Sequence, residues 1–261
     1  IGKNAGSGIT TNERTVAIGN TCIANGNIGF AVGVGDEALS SGSLSGNNHV
    51  AIGFRASKNN TTGVNTAVGF RCLQGNTTGS NNTSIGFDSM IDNTEGSNNT
   101  VVGNLALSNN TTADNNTAVG NQALELNTTG TQQVAVGGYA LQKNTTGSFN
   151  TALGRSCLQN NTTGVGNTAV GDIAGGAITT GSNNVAVGSA ALDALQTAGS
   201  NVAVGANCLS ACTTSFNTAV GFNAARDTTS GLANVAVGTS SLVSNTTGDN
   251  CVAIGLDCLQ Q

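Results

Sequence analysis

The side chains best equipped for chemistry in this 261-residue chain are seven cysteines, a single histidine and 13 acidic residues. Their spacing decides what they can do together. Cys22, Cys72, Cys157, Cys208 and Cys258 each stand three residues after a recurring glycine, in a column that other copies fill with Ala or Ser. The nearest of them are three copies apart, about 14 Å at strand spacing, beyond the reach of a disulfide. They are expected as small buried hydrophobes. Local bridges between Cys208 and Cys212 or Cys251 and Cys258 are not favoured, and without a Cys-x-x-Cys word or a histidine partner no metal site is expected. A lone His49 leaves no acid/base pair or triad to build; it is expected to be solvated beside its strand. Asp36, Asp88, Asp172 and Asp257 follow their glycines by one or two residues in scattered copies, so no carboxylate pair recurs. Neither a catalytic constellation nor a cofactor site is expected, and the chain does not read as an enzyme.

Two further features have binding chemistry. Phe54, Phe70 and Phe87 each follow their glycine in successive copies and would stack as an aromatic ladder, a sugar or protein contact patch or else a self-packed seam; self-packing is favoured. Asn-Thr-Thr words at Asn60, Asn76, Asn127 and Asn245 match the glycan acceptor pattern, but a corner needs the same residues, so the match is weak evidence for glycosylation.

What positions all of these is a repeat. The glycine that closes Asn65-Thr66-Ala67-Val68-Gly69 recurs at Gly86, Gly103, Gly120, Gly137, Gly154, Gly171, Gly188 and Gly205 with a spacing of 17, and in slightly irregular steps back to Gly2 and on to Gly255, giving 16 copies. No linker or composition shift interrupts the series, so residues 1–261 read as one array. Asn, Thr and Gly dominate, with 8% charged residues and no proline, a composition hostile to helices. A net charge of −5 without a basic stripe points away from nucleic acid, and no apolar run approaches the ~20 residues of a membrane helix.

Within one copy, the residues three and one before the glycine are β-branched or Leu and share a strand face. The reading places that face inward, so Val16, Val50, Val68, Ile85 and Val187 are predicted core, together with Leu73, Leu107 and Leu141 after the glycine. The small residue between, as at Ala67, Ala118, Ala135, Ala152, Ala186 and Ala236, is predicted to face outward and form an apolar stripe against sister chains. Asn-Thr-Thr-Gly is a corner. Two short strands and two corners make a coil, and stacked coils make an all-β parallel solenoid on the order of 75 Å long.

The word Val-Ala-Ile-Gly at Val16–Gly19, Val50–Gly53 and Val252–Gly255 resembles the head repeats of trimeric autotransporter adhesins of the YadA-like kind. The longer Asn-Thr-Ala-Val-Gly and Asn-Thr-Thr-Gly form is similar to repeat fibres of phages and bacteria that end in a self-cleaving chaperone domain. The resemblance covers the whole chain. It implies a left-handed β-roll, a homotrimer and an outer surface that binds host proteins or glycans. The 17-residue period is longer than in those heads. The expected function is therefore a structural or adhesive extracellular fibre, on a cell surface or a virion, whose partners include itself as a homotrimer or end-to-end filament. With no atypical capping copy at either end, the segment is expected to belong to a longer fibre. The alternative is ice binding through the aligned column Thr61, Thr77, Thr94, Thr111, Thr128, Thr145 and Thr162. Scattered carboxylates speak against a third possibility, carbohydrate processing.

Overall fold

The computed structural model describes residues 2–23, 25–40, 44–45 and 48–259. Among them there is no helix, and the chain divides into two units, Ile1–Gln132 and Gln133–Gln261. The first contains β1 (Gly8–Ile18), β2 (Asn25–Val34), β3 (Leu44–Ser45), β4 (His49–Ile52), β5 (Asn65–Val68), β6 (Asn82–Ile85), β7 (Thr100–Val102) and β8 (Thr117–Val119). The second contains β9 (Val134–Val136), β10 (Thr151–Leu153), β11 (Thr168–Val170), β12 (Val185–Val187), β13 (Val202–Val204), β14 (Thr218–Val220), β15 (Val235–Val237) and β16 (Val252–Ile254). Both are parallel β-solenoids. Each strand pairs with the equivalent strand of the next coil, so like residues lie side by side: Ala51 beside Ala67 in the first unit, Ala152 beside Ala169 and Ala186 beside Ala203 in the second. In the first unit β3 pairs with β2 off this path.

The strand faces are the reverse of the sequence expectation. Ala67, Ala118, Ala135, Ala152, Ala186 and Ala236 are fully buried. Val16 and Ile85, predicted core, are 47% and 40% exposed; Val50, Val68 and Val187 are half-buried on the same outer face. Strand alternation says which residues share a face but not which face is inside. The interior decides it by size. The Ala column faces the small column three after the glycine, including Cys72, Ala106 and Ala140, and the fully buried Leu73, Leu107 and Leu141 complete the apolar interior. Such a core admits a small residue in most strands, and nothing larger than Val101, which is fully buried in the same column of β7. Where the Ala column has Gly33 instead, a Cβ there would lie 2.7 Å from Cys22 Sγ and from Ile23 Cγ1, so the missing methyl makes room for a larger neighbour.

Among the described residues, the second strand expected after the glycine, at the small residue and leucine, does not form. After the glycine the backbone alternates into the left-handed region at every second residue: Arg71 (φ 49°) and Leu73 (φ 56°), Leu105 (φ 53°) and Leu107 (φ 50°). Successive left-handed residues hydrogen-bond to opposite neighbours. Arg71 N–H donates to the carbonyl of Phe54 in the coil before, and Leu73 N–H to that of Ser89 in the coil after. A left-handed leucine costs roughly 1–2 kcal/mol. Full burial of its side chain contributes roughly 1.5–3 kcal/mol, and the inter-coil bond satisfies its amide. Burial wins, which is why an apolar residue occupies a position whose torsions favour glycine.

Two buried asparagine ladders complete the interior. In the first, Asn76 Nδ2 donates to Asn60 Oδ1 (2.6 Å) and to the Gly79 carbonyl (2.9 Å); Asn93 and Asn110 repeat both bonds. In the second, the Oδ1 of Asn65, Asn82 and Asn99 accepts the backbone N–H of the asparagine one coil on, while Asn82 Nδ2 donates to the Gly96 carbonyl. The corner glycine carbonyl is thus held by both ladders. Every carboxamide is buried and most of its capacity is used, so the ladders carry specificity as well as energy.

Candidate interaction surface

The strand residues excluded from the narrow interior form the surface with most to offer a partner. In the first unit Ile18, Ile52, Ile85 and Val102 stand exposed one residue before their glycines, and Thr66, Thr83, Thr100 and Thr117 are in register three before. In the second unit Val136, Leu153, Val220, Val237 and Ile254 are exposed in the equivalent column. Exposed apolar residues scattered singly are ordinary; rows repeated coil after coil are not.

Phe54, Phe70 and Phe87 continue this face beyond the glycine, and the structure brings them together as the sequence suggests. Their ring centroids lie 5.2 and 5.1 Å apart, with interplanar angles of 23° and 7°. The rings spend their faces on one another and turn edges to solvent, which suits self-packing better than stacking on a sugar. Arg55 lies 4.8 Å above the Phe54 ring and Arg71 5.2 Å from that of Phe70. Both guanidinium groups are anchored. Arg55 Nε donates to Glu37 Oε2 (2.9 Å), which also takes Lys58 Nζ (2.6 Å), and Arg71 Nε donates to Asp88 Oδ1 (2.8 Å). Hydrogen bonds from Lys58 and then Arg55 hold the Glu37 carboxyl below the usual carboxylate range, and the bond to Asp88 raises the Arg71 pKa. Nearby, Arg14, Phe30, Val32, Asn48 and Val50 line a groove of about 320 Å³.

The remaining reactive groups are structural. Cys22, Cys72, Cys157 and Cys208 are fully buried free thiols, as expected of the small column, whereas Cys258, in the last described coil and with no following coil described to cover it, is only half-buried. Burial pushes the Cys157 and Cys208 thiols up to about 12, far from reactive thiolates. Among the described residues, no three His, Cys, Asp or Glu side chains come together in a metal-binding group. His49, expected to be solvated, is instead 1% exposed: it occupies the asparagine position of the second ladder, with Asn60 Nδ2 3.4 Å from its Nδ1 and no partner at Nε2. The column that sequence reading used for ice binding is committed to the scaffold. Thr77 Oγ1 donates to the Thr94 carbonyl (3.0 Å) and Thr94 Oγ1 to that of Thr111 (2.9 Å). What sequence reading missed was the burial of Asn65, Asn82, Asn99 and Asn116. The signal was present, since an asparagine four before the glycine recurs through most copies where a solvated position would vary. No helix among the described residues is long and apolar enough to cross a membrane. Compared with known proteins, the chain matches no family model, no curated protein and no solved structure.

Proposed function

We propose that this chain is a structural or adhesive fibre segment that associates with copies of itself through the outward β-branched face. The observation that carries the reading is the column of Ile18, Ile52, Ile85 and Val102, exposed, with Val34 and Val68 half-buried between them, on a scaffold held by inter-coil backbone hydrogen bonds. Left-handed coiling and a homotrimer, with its outer surface turned to a host protein or glycan in an extracellular setting, follow from the resemblance to adhesin heads. The seam, however, is now the Val/Ile/Leu column rather than the alanine column. Sedimentation equilibrium tests this: a trimer is expected, and Ile85→Lys with Val102→Lys in one chain should dissociate it. A monodisperse monomer at micromolar concentration overturns the proposal.

One observation favours ice binding as a second reading. Thr66, Thr83, Thr100 and Thr117 form an outward column in register, two residues from Val68, Ile85, Val102 and Val119. Freezing hysteresis that is lost in Thr83→Lys would support it; its absence would remove it.

A further inference from the structure

The Asn-x-Thr words fall into two structural classes. At the corners, Asn60, Asn76, Asn110, Asn127, Asn144 and Asn161 are acceptors by sequence and fully buried, while the corner acceptor Asn245 is half-buried with its Nδ2 on the Gly248 carbonyl (2.9 Å). Asn76 Nδ2 spends both hydrogens, one on Asn60 Oδ1 and one on the Gly79 carbonyl; Asn161 Nδ2 does the same toward Asn144 Oδ1 (2.8 Å) and the Gly164 carbonyl (3.1 Å). By contrast, among the residues that open Asn-Asn-Thr words, Asn59, Asn81, Asn98 and Asn115 are exposed, and Asn109 and Asn160 are half-buried.

Asn-linked glycosylation joins C1 of a sugar to Nδ2 on an unfolded segment. The lipid pyrophosphate of the donor leaves, and Nδ2 gives up one hydrogen as a proton. At a corner asparagine that hydrogen is one the fold needs, and the sugar would have to occupy a site with no solvent access. Both ladder bonds of that coil and those of its neighbours would be lost, because each carboxamide is donor to one coil and acceptor from the next.

We propose that the fold and glycosylation of its corner asparagines exclude each other, so that this chain reaches its folded state by a route that does not glycosylate Asn-x-Thr. The inference is independent of what the outer face binds. It also sorts the exposed acceptors Asn59, Asn81, Asn98 and Asn115 as positions where a sugar is compatible with the coil.

The test produces the chain twice, in a bacterial cytosol and through a glycosylating yeast secretory route. Intact mass, peptide mapping and protease resistance are the readouts. The bacterial protein is expected to be folded and resistant. The secretory product should carry sugar on corner asparagines and be degraded. Two controls separate sugar from other causes of failure: an inhibitor of lipid-linked oligosaccharide synthesis, and a variant losing the corner acceptors at the second threonine (Thr62→Ala, Thr78→Ala, Thr112→Ala, Thr129→Ala, Thr146→Ala, Thr163→Ala, Thr247→Ala) together with Ser84→Ala, which removes the buried Asn82 acceptor. Each is expected to restore resistance in the secretory route; if the variant fails to fold even in bacteria, the inhibitor arm decides. Resistant wild-type protein from the uninhibited glycosylating route, with or without sugar on the corners, overturns the proposal. So does wild-type protein that stays unfolded when glycosylation is blocked.

Discussion

Single residues in this protein are judged by which side of a thin wall they occupy. Ala186 is buried and its neighbour Val187 half-buried on the outside, so substitutions one residue apart should behave oppositely. Ala186→Ile overfills an interior whose column holds nothing larger than Val101 and is expected to cost about 1–3 kcal/mol. Val187→Asp places its charge at the outer face and should leave the unfolding midpoint of an isolated chain nearly unchanged while weakening self-association. Urea denaturation checks the first and sedimentation the second; equal destabilisation by both would return Val187 to the core. His49 makes a pH prediction. Burial pushes its imidazole below the ordinary 6.5, so the unfolded chain binds the proton more readily than the folded one. Stability is therefore unaffected well above 6.5 and lost as pH falls below it, by up to about 1.4 kcal/mol per pH unit until the folded group titrates. Between pH 6.5 and 5, His49→Asn should flatten the slope, because an amide has no proton to take up and matches the rest of its column. Urea midpoints across that window, for both proteins, are the measurement.

At the level of the element, the unit of stability is a column rather than a strand. A three-residue strand is far too short to persist alone, and β7 or β12 exists because identical neighbours hold it on the stack. Removing one rung should be felt beyond its own coil. Asn93→Ala strips Asn76 Oδ1 of its donor, one of the two Asn110 Nδ2 hydrogens of its acceptor, and the Gly96 carbonyl of the share that Asn93 satisfied. At roughly 1–3 kcal/mol for each stranded polar group, a loss of at least about 2 kcal/mol is expected. Hydrogen exchange should show lost protection in the coils of Asn76 and Asn110 as well as that of Asn93. The ladder also has a natural end. Ile178 stands where the next asparagine would be, and Asn161 Oδ1 is left buried without a partner. The same coil has Gly175 in the leucine position, where a Cβ would touch Ile178 Cδ1 and Leu158 Cδ2 at 3.0 Å, so the isoleucine fills the space the missing leucine leaves. The glycine before each turn is equally constrained. At Gly103 (φ 148°) an added Cβ would run into the carbonyl of Gly120, so Gly103→Ala combines torsional strain with a backbone clash and should unfold that region rather than merely soften it. A thermal midpoint within a few degrees of wild type would show that the coil can shift to admit the methyl.

Taken as a whole molecule, the chain is a surface generator. One 17-residue sentence, repeated, turns each choice of residue into a row. With 8% charged residues and a net charge of −5, little long-range repulsion keeps the outward apolar rows of two copies apart. Self-association through those rows should therefore depend weakly on salt and strongly on their apolarity. Raising ionic strength from 50 to 500 mM is expected to leave the association state unchanged, whereas Ile85→Lys with Val102→Lys abolishes it. A strong salt dependence in the wild type would point to the Arg55–Glu37 and Arg71–Asp88 pairs as the contact instead.

Period, parallel stacking, the buried small-residue column and Leu73, Leu107 and Leu141 were all legible in the sequence, since recurrence at one spacing forces like residues into rows and a column of Ala, Cys and Ser leaves little but close contact to explain it. Which way the strands face was not. Alternation is symmetric under a one-residue flip, and only the width of the finished interior, closed by left-handed leucines and two asparagine ladders, selects alanine for the inside and valine or isoleucine for the outside. The same holds for Asn65 and His49: their types suggest water, but burial is decided by the carbonyls and amides that neighbouring coils bring to them, and those partners exist only once the coils are stacked.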